Sequence, residues 1–138
     1  DVPVIISPTV ETDGRLPDGS SLGGFIRRVD DESPTPPLYY MVNCAHPTHL
    51  GPTLEKAAAA GESWLERFRG FRANSSTRSH EELDNSTELD RGDPAQLARQ
   101  MRELKQAYSL NIVGGCCGTD HRHITAIAEA TAVRQPGT

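Results

Sequence analysis

Short apolar runs alternate with helix-like segments along the chain, and this alternation constrains the fold more than any other feature. The strand-like runs are Val2–Ser7, Leu38–Val42, Arg67–Asn74 and Leu110–Val113. The first of them is almost continuously apolar, a pattern typical of a strand buried on both faces of a parallel sheet. Alternating strands and helices favour parallel strands joined by right-handed crossovers. The sequence therefore predicts an α/β fold of about four parallel βα units.

Helix start signals mark the segments between these strands. A helix is predicted from Ser20 or Ser21, a second from Pro47 to Gly61, a third from Asp93-Pro94, and a last one capped by Thr119 or Asp120. The polar stretch 75–92 is predicted as a long loop with a helical turn at 79–83. The residues predicted to face the core are Phe25, Ile26 and Val29; Leu50, Leu54, Ala57 and Ala58; Leu97, Met101, Leu104 and Tyr108; and Ile124, Ile127, Ala128 and Thr131.

All three cysteines of the chain follow predicted strands. Cys44 comes after the second strand, and Cys116 and Cys117 come after the fourth. Cys116 is 72 residues further along the chain than Cys44. In parallel α/β folds the carboxyl ends of the strands line the functional face. We therefore expect the three thiols to lie on one face, two strands apart.

Three thiolates without an obvious fourth protein ligand are typical of a catalytic zinc site, because structural zinc is usually closed by four protein ligands. Neighbouring side chains on a strand point to opposite faces, so Cys116 and Cys117 can share one ion only where the backbone leaves strand geometry. Gly114, Gly115 and Gly118 permit such a departure. We predict Zn²⁺ held by Cys44, Cys116 and Cys117.

Two other interpretations of the cysteines stay open from the residues alone. The thiols are metal-free core or redox groups in the first, and in the second a histidine (His46, His121 or His123) completes a four-ligand structural zinc site. An odd cysteine count disfavours a secreted disulfide framework and favours reduced thiols in the cytoplasm.

Charge and hydropathy exclude some partners. The net charge is −5, basic residues are scattered, and aromatic residues make up only 5% of the chain, so a nucleic-acid surface is not expected. The apolar runs are far too short to cross a membrane.

The motifs VNC at 42–44 and GGCCGT at 114–119 resemble the two zinc signatures of the homocysteine S-methyltransferase family. The segments TVETDGRLPDGSSL (9–22) and NCAHPTHL (43–50) also resemble one branch of that family. The resemblance covers the chain from Val4 to about Ala130. It implies a (β/α)8 TIM barrel and zinc-dependent methyl transfer from a small-molecule donor to homocysteine, giving methionine.

The resemblance also implies roles for polar residues at the strand ends. Asn43 and Asn74 are expected to bind the amino-acid part of homocysteine or to cap loops. Glu11 and Asp13 are expected to hold its ammonium group or to be solvated, and TDGRLP at 12–17 is typical of a turn. The methyl donors compatible with the resemblance are S-methylmethionine, S-adenosylmethionine, betaine and a methylated folate.

Length is where the chain departs from the family. A barrel needs eight units, and 138 residues supply about four, which motif order identifies as the C-terminal half. The expected chain is one partial barrel domain over 1–138, a fragment that pairs with the N-terminal half or with a second copy. The alternatives to an enzyme are a non-catalytic zinc-binding module and a thiol redox protein that uses the vicinal cysteines.

Overall fold

A parallel sheet of three strands forms the centre of the structure, a computed structural model that describes residues 2–132. The strands are β1 (Tyr40–Ala45), β2 (Phe68–Ala73) and β3 (Ile112–Gly115), in the order β1-β2-β3. Both pairings are parallel. The carboxyl ends of all three strands therefore lie at one edge of the sheet, and the predicted parallel βα organisation is confirmed.

Helices connect and follow these strands. They are α1 (Leu22–Glu32), α2 (Pro47–Ala59), α3 (His80–Asp84), α4 (Pro94–Tyr108) and α5 (His121–Thr131), with a 3₁₀ turn at Ser63–Arg67. Side chains cap four of them near the predicted starts: Ser21 caps α1, His46 caps α2, Asp93 caps α4 and Asp120 caps α5. These caps satisfy backbone N–H groups that lack partners within the helix.

The first predicted strand is present only as an irregular extended segment beside β1. Ile6 makes a single parallel bridge to Tyr40, and the carbonyls of Val4 and Ile6 accept from the N–H groups of Leu38 and Met41 at 2.8 and 2.9 Å. Val2 and Val4 are 85% and 52% exposed. The prediction of burial on both faces is wrong here, because no described element covers this side of the sheet.

The core lies between the sheet and the helices. Phe68 and Phe71 of the central strand β2 are fully buried, and the predicted faces of α2 and α4 pack around them through Leu50, Leu54 and Met101. This confirms most of the predicted core, but Ala58 of α2, which was predicted to face the core, is exposed. Burial of such side chains supplies the main driving force for folding.

The predicted inner face of α5 is partly wrong. Ile127 is buried as expected, but Ile124 is 46% exposed and Ala128 is exposed. His123 takes the inward position instead, and its Nε2–H donates to the carbonyl of Arg91 at 2.5 Å. This buried hydrogen bond sets the rotation of α5, which apolar spacing alone does not reveal.

No helix in the described range 2–132 combines the length and the apolar character needed to cross a membrane. The predicted domain runs from 1 to 138, and its outermost positions, 1 and 133–138, lie outside the described residues.

Candidate metal centre

Cys44 lies at a break in the regular pairing of β1 and β2. Asn43 pairs with Arg72 and Ala45 pairs with Ala73, so Cys44 has no partner residue in the register. Its backbone adopts a φ of +55°, the left-handed region that residues with a Cβ rarely occupy. Such a bulge turns a side chain away from the direction that strand alternation would give it.

Cys116 and Cys117 form the turn that follows β3. The N–H of Cys116 donates to the carbonyl of Ala73 at 2.8 Å, and the N–H of Cys117 donates to the side-chain Oδ1 of Asn74 at 3.1 Å. The hydroxyl of Thr119 donates back to the carbonyl of Cys116 at 2.7 Å. The end of β2 and a local turn thus fix both cysteines.

The glycines around the pair have separate functions. Gly118 has a φ of +78°, and a Cβ there would collide with Ser75 and with the carbonyl of Asp90. Gly114 and Gly115 belong to β3 and keep strand geometry. The predicted departure from strand geometry therefore depends on Gly118, which follows the two cysteines.

The three cysteine sulfur atoms converge although they come from two strands. All lie within 4.8 Å of one another, and they are the one group of at least three histidine, cysteine or acidic side chains at metal-binding spacing among residues 2–132. Zinc–sulfur bonds of ~2.3 Å in a tetrahedral shell place sulfurs roughly 3.8 Å apart. The number, spacing and softness of these donors fit a zinc ion with one open position.

The structure also pairs Cys44 with Cys116 as a disulfide, with their Cα atoms 5.5 Å apart, and leaves Cys117 as an exposed thiol. This differs from the predicted reduced state. Sulfurs that converge closely enough to share an ion are also close enough to bond to each other. A metal-binding form requires the reduced pair, because only thiolates act as ligands.

None of the three candidate histidine ligands joins the group of cysteine sulfurs. The Nδ1 of His46 accepts from the N–H of Thr48 at 3.1 Å as the cap of α2, and burial, assisted by the neighbouring His49, lowers the pKa of His46 to about 4. His123 is buried against Arg91, and His121 is exposed at the start of α5. The four-ligand interpretation with a histidine finds no support in the described residues.

A cavity of about 700 Å³ opens above the cysteines. Asn43, Cys44, Asn74 and Cys117 line it on the side of the sulfurs. The rest of the lining includes Thr9, His80 and residues 83, 84 and 86–90. Its volume is in the range of small-molecule sites. The centre therefore has space for a substrate next to the sulfurs.

The predicted polar residues are placed differently relative to this cavity. The Oδ1 of Asn43 accepts from the hydroxyl of Ser7 at 2.7 Å on the cavity wall, and Asn74 is buried with its Oδ1 on Cys117. Glu11 lies outside the lining and faces His80, with 3.3 Å between its Oε1 and the ring Nδ1. The carboxylate of Asp13 accepts from the N–H of Arg15 at 2.9 Å, which confirms the predicted turn.

Sequence reasoning missed the contacts that hold the 75–92 loop against the cysteine turn. The hydroxyls of Ser75 and Ser76 donate to the carbonyl and carboxylate of Asp90, both at 2.7 Å. The Nε2–H of His80 donates to the carbonyl of Cys44 at 2.6 Å. Only the helical turn that carries His80 has a local signal, the Ser79–Glu82 capping box.

The chain matches one known family over nearly its whole length. The family model described as homocysteine S-methyltransferase covers residues 1–131 of 138. The matched range contains the three cysteines, the residues around the cavity and the loop between β2 and α4.

Proposed function

Because the chain belongs to the homocysteine S-methyltransferase family, we propose that it takes part in zinc-dependent methyl transfer to the thiol of homocysteine, giving methionine. The observation that carries this proposal is the convergence of Cys44, Cys116 and Cys117 within 4.8 Å beside a cavity of about 700 Å³. A donor set of three soft sulfurs leaves one coordination position for a substrate sulfur.

The proposed methyl transfer needs few proton-transfer groups from the protein. Zinc, when bound by the three cysteines, lowers the pKa of a coordinated thiol and so supplies a nucleophile at neutral pH. The homocysteine thiol loses its proton to solvent, and its sulfur then forms a bond to the methyl carbon of the donor. The donor leaves with the electron pair of the broken bond.

Residues of this chain would bind and orient the substrate. The Oδ1 of Asn43 is occupied by Ser7, so its amide N–H groups are the donors that Asn43 can offer to a carboxylate. Asn74 lines the same cavity while it holds the backbone of Cys117. We assign the amino-acid part of homocysteine to the side of the cavity that carries Asn43 and Asn74.

The test begins with metal content under reducing conditions. We expect one zinc per chain in the parent and none in Cys116→Ser, whereas Arg102→Gln on the exposed face of α4 keeps its zinc. Homocysteine added to the zinc form should bind with proton release. An assay with several methyl donors, run with and without added zinc, then measures methionine. Failure to bind zinc or homocysteine would reject the proposal.

A thiol redox function is the second candidate, because the structure pairs Cys44 with Cys116. It requires a protein that binds no zinc and cycles between thiol and disulfide forms. The redox pair would then be Cys44–Cys116 rather than the vicinal cysteines. A zinc-binding chain that binds no homocysteine would instead be a non-catalytic module.

We further infer that the single domain, 1–138, corresponds to half of a (β/α)8 barrel. The extended segment at 4–8 and the three strands would supply four neighbouring barrel strands, and Ile5 and Ile112 at the two outer strands are 43% and 40% exposed. The complementing half or a second copy would cover these edges. Sedimentation analysis of the chain tests self-pairing.

We place the protein in the cytoplasm, where cysteines stay reduced.

A further inference from the structure

The carbonyl of Cys44 is held by two side chains. The hydroxyl of Thr9 donates to it at 3.1 Å, and the Nε2–H of His80 donates at 2.6 Å. The other ring nitrogen of His80 lies 3.3 Å from a carboxylate oxygen of Glu11. Three separate segments of the chain therefore meet at the backbone of one cysteine.

The backbone of Cys44 requires such support. A non-glycine residue in the left-handed region costs on the order of 1–2 kcal/mol, and Cys44 has no partner in the β1–β2 register. The bulge nevertheless directs Sγ of Cys44 towards Cys116 and Cys117. Two hydrogen bonds to its carbonyl offset this cost and fix the peptide plane that sets the direction of the side chain.

The position of His80 is not explained by packing of its own helix. The five-residue helix α3 has no buried residue, and the side chain of His80 is 29% exposed. Its shortest hydrogen bond nevertheless reaches across 36 residues of sequence to Cys44. Its contacts are polar and directional, with an acceptor at each ring nitrogen.

We propose that His80, oriented by Glu11, is a positioning residue that locks the Cys44 bulge in the conformation needed for metal binding. The inference rests on the proposed zinc-dependent function. Groups that orient metal ligands in this way commonly change metal affinity 10–100-fold when they are removed. His80 belongs to the cavity lining, but its Nε2–H donates to the backbone carbonyl of Cys44, so it acts on the sulfur of Cys44 through the backbone.

Zinc affinity and cobalt spectra test this role without any catalytic measurement. His80→Ala should weaken zinc binding about 10–100-fold in competition with a chromophoric chelator under reducing conditions. It should also change the visible spectrum of the Co²⁺-substituted protein, because the sulfur geometry changes. Glu11→Gln should have a smaller effect of the same sign. The exposed His121→Gln is the matched control and should leave both readouts unchanged.

A conservative variant separates the hydrogen bond from packing. In His80→Gln the side-chain amide can donate to the same carbonyl, so most of the affinity lost in His80→Ala should return. Parent-like zinc affinity and spectrum in His80→Ala would overturn the inference, as would a glutamine variant no better than the alanine one. If His80→Ala does not fold, Thr9→Val removes the second donor to this carbonyl, and unchanged affinity there would also overturn it.

The outcomes also separate this inference from the proposed function. A parent that binds zinc, with affinity that depends on His80, but that neither binds homocysteine nor transfers a methyl group rejects the function and keeps the positioning role. A parent that binds no zinc rejects both.

Discussion

Asn74 lies where β2 meets the cysteine turn, and it serves the fold as well as the cavity. Its backbone N–H donates to the carbonyl of Ala45 at 2.8 Å, and its Oδ1 accepts from the N–H of Cys117 at 3.1 Å. Asn43 contacts Ser7 and no cysteine N–H. The two asparagines, predicted for one function, therefore have different positions relative to the cysteines.

Substitution of each asparagine should separate substrate binding from metal binding. Asn43→Ala removes a donor from the cavity wall and should weaken homocysteine binding about tenfold, with zinc affinity unchanged. Asn74→Ala also frees the backbone of Cys117 and should weaken both zinc and homocysteine binding. Calorimetric titration of the zinc form with homocysteine and a chelator competition measure the two effects. Equal zinc affinity in the parent and in Asn74→Ala would contradict the assigned role of Asn74.

The residues that carry sulfur were predictable because cysteines at strand ends and a glycine-rich turn are local signals. The residues that orient them were not. Thr9 and His80 lie 35 and 36 residues from Cys44 and meet it only through its carbonyl. Neither the left-handed bulge at Cys44 nor its hydrogen bonds leaves a local pattern in the sequence, because residues that are distant along the chain create them.

At the scale of elements, a charged cluster joins α1 to the sheet. Arg67, before β2, makes two hydrogen bonds to the carboxylate of Asp30 in α1, at 2.9 and 3.1 Å, and also donates to the carbonyls of Pro37 and Leu38. The hydroxyl of Tyr40 donates to Asp30 at 2.9 Å. Burial, with Asp30 assisting, raises the pKa of this phenol to about 12, so it stays a donor at neutral pH.

Acid should weaken this connection between elements. Arg67 is the main cause of the lowered pKa of Asp30, and Tyr40 adds to the effect against the opposing effect of burial. Since the folded pKa lies below the unfolded one, the contribution of Asp30 to stability is full above the unfolded value, near pH 4, and is lost as the pH falls through the folded value.

Urea unfolding of the parent and of Asp30→Asn measures the contribution of Asp30 to the free energy of unfolding. At pH 7 the variant should be less stable than the parent by about 1–3 kcal/mol, and the difference should shrink as the pH is lowered from 5 towards 3. Asp31→Asn, at the adjacent exposed position, should remain close to the parent at every pH. A difference in stability between the parent and Asp30→Asn that stays constant on acidification would show that the charge of Asp30 does not cause it.

Elements whose apolar residues recur at regular spacing over several turns were predictable. Elements whose orientation depends on a contact with another segment were not. The spacing of Leu97 and Met101 predicted the inner face of α4, since both are buried. The face of α5 was mispredicted at Ile124 because the hydrogen bond of His123 to Arg91 sets its rotation. The extended segment beside β1 was recognised from its apolar residues. Its burial depends on which other elements cover it, and its own apolar content does not determine that.

At the scale of the whole molecule, the sulfur cluster links the two outer strands of the three-strand sheet. Cys44 follows β1 and Cys116 follows β3, with β2 between them and 72 residues of chain separating the two cysteines. Either a disulfide or a shared metal ion closes this long loop. A cross-link over this separation stabilises a fold mainly by restricting the unfolded chain, by ~4 kcal/mol in the loop-closure estimate.

Global stability should therefore depend on the state of the cysteines, and the reduced, zinc-free protein should be the least stable form. The disulfide form should gain a few kcal/mol over it, and zinc at a hundredfold excess over its Kd should add about 2.7 kcal/mol. Urea unfolding of the three forms measures this order.

Cys117→Ser is the discriminating variant, because it keeps the Cys44–Cys116 disulfide but leaves zinc only two protein sulfurs. Cys117→Ser should retain the increase in stability that oxidation gives and lose most of the increase that zinc gives. Cys44→Ser should lose both increases. An undiminished zinc effect in Cys117→Ser would mean that zinc stabilises the fold without the three-sulfur site.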